Sequence, residues 1–166
     1  LNQKGMKINS DTKLELQAEV SSSLPATAVW TIDSPDIVLE DIALTPLSKT
    51  YQFLTGSKQR FDLAVSKNSF IAGKAYTFTL ELTQTNNALK TNAGSFVVLT
   101  NEAPVLGSVI VDPTSGYAIT SNFEITTEGW EDDPDDYPLE FEFFMRQAST
   151  ELLQSLRGKA EKPSLM

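Results

Sequence analysis

The sequence predicts an all-β chain: an immunoglobulin- or fibronectin type III-like β-sandwich over residues 1–103, then the N-terminal part of a second sandwich module over 104–166. Three observations carry this. Apolar and polar residues alternate with a period of two in short runs, turn residues separate those runs, and a proline-bearing junction at Asn101-Glu102-Ala103-Pro104 interrupts the series.

Leu14, Leu16 and Ala18 alternate with Glu15, Gln17 and Glu19, the pattern of a strand with one buried face. After turn residues at Ser21–Ser23 and Pro25, a second run sends Ala28, Trp30 and Ile32 to one side. Trp30 sits where a sandwich carries a core tryptophan on its third strand. Further strands are expected at Ile37–Leu44, Thr50–Phe53 and Phe61–Val65. The cleanest alternation sets Tyr76, Phe78, Leu80 and Leu82 against Thr77, Thr79, Glu81 and Thr83. Thr85-Asn86-Asn87-Ala88 predicts a hairpin turn, with an extension through Asn92-Ala93-Gly94 as the longer alternative, and Ser95–Thr100 returns as its partner. Phe70-Ile71-Ala72-Gly73-Lys74-Ala75-Tyr76 fits a tyrosine corner, in which the phenol bonds back to its loop; an ordinary half-buried strand aromatic fits equally well.

Pro104 lacks a ladder donor, so the strand near Thr100 should end before it. Beyond it, strands are expected at Ser108–Val111, at Phe123 and Ile125, and at Leu139–Met145, with a turn at Asp112–Gly116. Residues 149–157 are read as a short helix with Leu152, Leu153 and Leu156 on one side, a strand of the next hairpin being the alternative. Three strands do not bury Phe123, Trp130, Phe141 and Phe143, so the second module is expected to be cut short and to take further strands from elsewhere.

Composition narrows the function classes. Forty per cent apolar residues suffice for a packed core, and no run approaches the ~18 uninterrupted apolar residues that span a bilayer. No basic segment followed by an apolar one opens the chain, so no signal peptide is expected within it. The net charge is −9, placed unevenly: residues 1–103 carry nine Lys/Arg against ten Asp/Glu, residues 104–166 four against twelve. Nine acidic side chains and no basic one lie between Glu124 and Glu142, a surface that repels nucleic acid and suits a cation or a basic partner. With neither Cys nor His, the Ser-His, Cys-His and zinc arrangements cannot be assembled from this chain. No Gly-rich phosphate loop occurs, and the clustered acids share one turn instead of opposing each other across a cleft, which argues against carboxylate-pair hydrolysis.

The acidic turn Glu131-Asp132-Asp133-Pro134-Asp135-Asp136 is the segment with the most chemical potential. Closely spaced carboxylates supply the hard oxygens that Ca²⁺ takes, so Glu131, Asp132, Asp133, Asp135 and Asp136 form a candidate calcium site without EF-hand register. It is similar to the Asp-rich turn of cadherin-like sandwiches, in which a junction like Asn101–Pro104 contributes ligands. A solvated acidic loop that guards a sheet edge is the plainer alternative, and it holds no cofactor. Trp30 and Trp130 are expected in the core and not as sugar-stacking platforms.

Four segments in order, Asn101–Pro104, Pro113-Thr114-Ser115-Gly116, Gly129-Trp130-Glu131-Asp132-Asp133 and Pro138-Leu139-Glu140-Phe141, resemble the REJ (receptor for egg jelly) module of polycystin-1-like membrane proteins. They lie within about a quarter of the chain, and the family's usual cysteines are absent. The resemblance implies a non-catalytic module of an ectodomain on the extracellular side of the plasma or ciliary membrane. Its expected partners are neighbouring domains of the same polypeptide and a protein or extracellular-matrix ligand, with no nucleic acid and no membrane contact by this segment. A calcium-dependent cadherin-like adhesion module and a carbohydrate-binding accessory module are the alternatives.

Overall fold

The computed structural model describes residues 5–52, 57–85, 87–117, 119–146 and 152–165, with backbone alone for 87–90. Strand makes up about half of the described residues, with almost no helix among them, so the all-β expectation holds. The chain divides into two compact units, Leu1–Glu102 and Ala103–Met166.

In the first unit the elements run β1 (Met6–Ile8), β2 (Leu14–Leu16), β3 (Glu19–Val20), β4 (Ala26–Asp33), the helical turn α1 (Leu39–Ile42), β5 (Ser48–Tyr51), β6 (Gln59–Arg60), β7 (Leu63–Val65), β8 (Ala75–Gln84) and β9 (Asn87–Thr100). Five of the strands form one sheet in the order β1-β9-β8-β4-β5. All its pairings are antiparallel except β1 with β9, which run parallel with Met6 beside Val98 and Ile8 beside Thr100.

The other layer is a narrow ribbon. β2 pairs with β7 and β3 with β6 in one unbroken register, from Leu14 opposite Val65 to Val20 opposite Gln59. The ladder is interrupted at Ala18 and Phe61 for an identifiable reason. The Phe61 N–H donates to the Ala18 carbonyl at 2.9 Å. The reciprocal bond is absent because the Ala18 N–H donates to Asp62 Oδ1 at 3.3 Å, while the Trp30 indole N–H, from the facing sheet, donates to the Phe61 carbonyl at 3.2 Å.

Period-two alternation becomes two-layer burial. Leu14, Leu16, Val20, Phe61, Leu63 and Val65 of the ribbon meet Ala26, Ala28, Trp30, Tyr76, Phe78 and Val98 of the sheet in one buried cluster. Each large side chain in such a cluster contributes about 1.5–3 kcal/mol by leaving water. Ala26 and Ala28 make room where the layers approach, and Trp30 and Tyr51 each pack on the Phe61 ring at centroid separations of 6.5 and 6.2 Å. On the opposite face hydroxyls pair across strands: Thr27 with Thr50, Thr79 with Ser95 and Thr83 with Thr91, at 2.9–3.0 Å.

Two expectations for this unit need correction. Ile37–Leu44 is not a strand: its centre makes the turn α1, which buries Leu39, and the chain then bridges to the ribbon through Ala43 and Val65. Two residues of this segment, Glu40 and Asp41, favour the first turn of a helix by their charge. Asn92-Ala93-Gly94 is strand, paired with Leu82, Glu81 and Leu80, so the hairpin reverses between Thr85 and Asn87; Asn86 lies outside the described residues. Trp30 stands on β4, the third strand in chain order when β2 and β3, which share one register, are taken together. Phe53 also lies outside the described residues, and that strand ends at Tyr51.

The second unit continues with β10 (Ser108–Asp112), β11 (Glu124–Glu128), a 3-10 turn at Pro134–Asp136, β12 (Phe141–Arg146), β13 (Leu153–Ala160) and β14 (Ser164–Leu165). Its described residues form five strands where three were expected. They form a three-stranded sheet, β10-β11-β14, and the hairpin β12-β13, whose pairing is irregular around Phe143. The helix read into 149–157 is overturned over its described part: Leu153–Arg157 is strand, paired with Phe143–Arg146, and 149–151 lie outside the described residues. Ladder bonds to β12 outweighed the helical spacing of three leucines, all of which stay exposed.

Trp30→Phe keeps an aromatic ring but orphans the Phe61 carbonyl. It should cost about 1–3 kcal/mol in urea unfolding with an unchanged slope. Burial first, then the nearby Asp62 carboxylate, raises the Tyr51 phenol above its ordinary value, and a hydrogen bond from Lys74 to Asp36 raises that amine. Both folded-state values exceed the unfolded ones, so their stabilisation is complete below pH ~10 and is lost as pH rises through the folded values. Alkaline unfolding curves should therefore show falling stability above that pH, with a shallower fall in Tyr51→Phe.

Candidate functional site

Tyr76 makes the corner bond that one reading of its loop required. The Ile71 N–H donates to the Tyr76 hydroxyl at 2.9 Å, and Phe70 packs on the Tyr76 ring at 5.1 Å. Gly73, at φ +74°, lets the loop turn back so that its N–H donates to the Thr100 carbonyl, and the Thr100 N–H returns a bond to Lys74. Lys74 Nζ lies 2.5 Å from Asp36 Oδ2. The loop is thus a rigid cap over one end of the first unit.

The acidic turn of the second unit is built around a different tyrosine. Glu131 exchanges two backbone hydrogen bonds with Val105, extending the β10–β11 pairing past Gly107 and Trp130. The Tyr137 hydroxyl accepts from the Asp132 N–H at 3.1 Å and donates to the Trp130 carbonyl at 3.4 Å, drawing the turn closed. Asp132 Oδ1 accepts from the Asp133 N–H at 2.8 Å, and the Asp136 N–H donates to the Asp133 carbonyl at 2.9 Å. Glu131, Asp133 and Asp135 are exposed, Asp132 and Asp136 half-buried. Among the described residues, no three Asp or Glu side chains are gathered closely enough to hold a metal ion. The Asp133 N–H takes up part of the oxygen capacity of the Asp132 carboxylate.

Beneath the turn lies a polar centre that alternation did not single out. Thr127 is 5% exposed. Its hydroxyl donates to the Ser108 carbonyl at 2.8 Å and accepts from the Trp130 indole N–H at 2.6 Å, while its N–H donates to the Pro163 carbonyl. One threonine therefore joins β10, β11, Trp130 and the approach to β14. Trp130 lies flat against Gly107, where an added Cβ would stand 1.9 Å from the ring. The Arg157 guanidinium holds the same end by donating to the Ser164 and Lys162 carbonyls. A Thr in the run Ile125-Thr126-Thr127 carries no sequence mark of burial; Gly107, in a strand-flanking position, was the one available hint of a close approach.

A family model described as REJ domain matches residues 1–166, the whole chain. No curated protein matches the sequence.

Gly107→Ala should drive a methyl into the Trp130 ring and destabilise the second unit by about 1–3 kcal/mol or more. Amide hydrogen exchange should accelerate over β10, β11 and β14 while the β4–β8 ladder keeps its protection.

Proposed function

The chain belongs to the REJ-domain family, and from that premise we propose that it is a non-catalytic structural and interaction module of the ectodomain of a polycystin-1-like membrane protein. In this reading it is built as tandem immunoglobulin/fibronectin-like sandwiches and stands on the extracellular side of a plasma or ciliary membrane. Its neighbours are domains of the same polypeptide and a protein or matrix partner. No helix among the described residues is long and apolar enough to cross a membrane.

The observation that supports a mechanical role most directly is the parallel pairing of β1 with β9. The chain runs along β1 and leaves β9 heading the same way, so a unit of this kind passes the polypeptide onward without doubling it back. Tension applied ahead of Met6 and beyond Thr100 pulls two parallel neighbours in opposite senses. The ladder bonds are then loaded together in shear, not opened one after another. A stalk of modules needs that property.

The acidic turn serves in this reading as a solvated, negatively charged edge, supported by the exposure of Glu131, Asp133 and Asp135. Such an edge resists pairing with other chains.

Single-molecule extension of the chain held at its two ends should show a distinct force peak for the first unit. Met6→Pro and Lys7→Pro, made separately, place an imide next to β9, and at least one should lower that peak by removing a ladder donor; an unchanged force in both would exclude shear across β1 and β9. Millimolar calcium should leave the melting temperature unmoved. A midpoint that climbs steadily with calcium would favour the calcium-dependent adhesion reading, by mass action on the folded state.

A further inference from the structure

The two layers of the first unit are unequal. Strands lie about 4.8 Å apart, so the five-stranded sheet is roughly 19 Å wide between outer strand axes and the covering ribbon roughly 5 Å. Trp30 and Tyr51 hold the ribbon to the sheet through Phe61 and Arg60, and the cluster it covers includes Tyr76, Phe78 and Val98. Past that cluster, along Leu80–Leu82 of β8 and Asn92–Phe96 of β9, the inward face of the sheet opens into a cleft of about 700 Å³. Its walls include Met6, Trp30, Leu80, Leu82, Gly94 and Phe96. Gly94 faces Leu80 across the ladder, and a Cβ built on it would meet nothing within 4 Å.

The ribbon's free edge borders this cleft. Because the Phe61 N–H bonds to the Ala18 carbonyl, the even-numbered residues of β2 and β3 direct their backbone groups toward β6 and β7. The Ala64 carbonyl confirms the alternation: it turns away from β2 and accepts from the Leu44 N–H at 2.8 Å. Glu15, Gln17 and Glu19 therefore aim their N–H and C=O groups at the open side. Their side chains point to solvent, opposite in sense to the buried Leu14, Leu16 and Val20.

We propose that this cleft binds an extended segment of a partner polypeptide, which adds as a third strand beside β2–β3, sends alternate apolar side chains onto Trp30, Leu80, Leu82 and Phe96, and presents basic side chains to Glu15 and Glu19. Backbone groups in a row specify a strand, not a compact ligand. The apolar floor specifies the inward residues, and the two glutamates specify the outward ones, since a cross-strand Lys is favoured there and a carboxylate disfavoured. Lys13 and Lys58 now sit beside these glutamates, but both pairs are largely exposed and are readily exchanged. The inference rests on the module being a binding partner and not an enzyme.

The test uses the whole chain and a heptapeptide in which valine alternates with lysine, with a counterpart carrying glutamate for lysine. Titration calorimetry should show binding of the lysine peptide alone, and hydrogen exchange should show new protection at the amides of Glu15, Gln17 and Glu19. Gly94→Leu fills the cleft, and Gln17→Pro removes an outward N–H without touching the ribbon's own ladder. Each should weaken binding at least tenfold while leaving the far-ultraviolet circular dichroism unchanged; if Gln17→Pro fails to fold, Gly94→Leu decides. Binding by neither peptide, equal binding by both, protection elsewhere, affinity unchanged in Gly94→Leu, or self-association of the chain through this edge would overturn the proposal. None of these outcomes touches the force measurement, so the stalk reading stands or falls separately.

Discussion

The bond from the Trp30 indole to the Phe61 carbonyl ties the covering ribbon to the five-stranded sheet. It occupies an acceptor that would otherwise complete the ribbon's ladder, and Asp62 takes the displaced N–H of Ala18. The ladder yields one bond and the layers gain one, with no polar group left unmet at that point. A buried carbonyl without a partner costs more than a made bond contributes. The substitution is tolerable because the carboxylate of the next residue lies within reach.

From that anchor the asymmetry of the unit follows. The ribbon is tied to β4 and β5 and covers Tyr76, Phe78 and Val98, but the inward residues Leu80, Leu82 and Phe96 border an open cleft. Thr-rich outer positions keep the opposite face of the sheet polar, while the inner face carries more apolar surface than the ribbon covers. The rigid corner at Phe70–Tyr76 closes one end of the core and leaves the cleft beside β8 and β9 as the uncovered region. In the second unit cohesion comes from a polar hub at Thr127 and a glycine that admits a tryptophan ring, since Phe143 is its one buried apolar side chain among the described residues.

Legibility differed between the core and everything attached to it. The buried faces of β2, β4 and β8 were readable because a half-buried strand must alternate, and Leu14, Trp30 and Phe78 fall where that period places them. Tyr76 was readable to within two alternatives, both of which keep its ring in the core. The segment Ile37–Leu44 was misread because a short apolar run has no period of its own, and one helical turn buries Leu39 as well as a strand would. Residues 149–157 failed for the opposite reason: a helical spacing existed, but an isolated turn or two of helix is weak, and β12 offered a ladder. At the acidic turn the residue identities were evident and their geometry was not. Whether carboxylates converge or diverge depends on dihedral angles set by the Tyr137 hydroxyl, five residues beyond Asp132.

The sequence by itself determined the all-β class, the inward faces of β4 and β8 and the concentration of negative charge beyond Pro104. Each depends only on residues near one another in the chain, through pleat geometry or the count of ionised groups. Tertiary structure alone decided the parallel placement of β1 on β9, the width of the ribbon, the exchange of partners at Phe61 and the burial of Thr127. Each of these is a choice between hydrogen-bonding partners distant in sequence, and nothing local distinguishes the partner taken from those passed over.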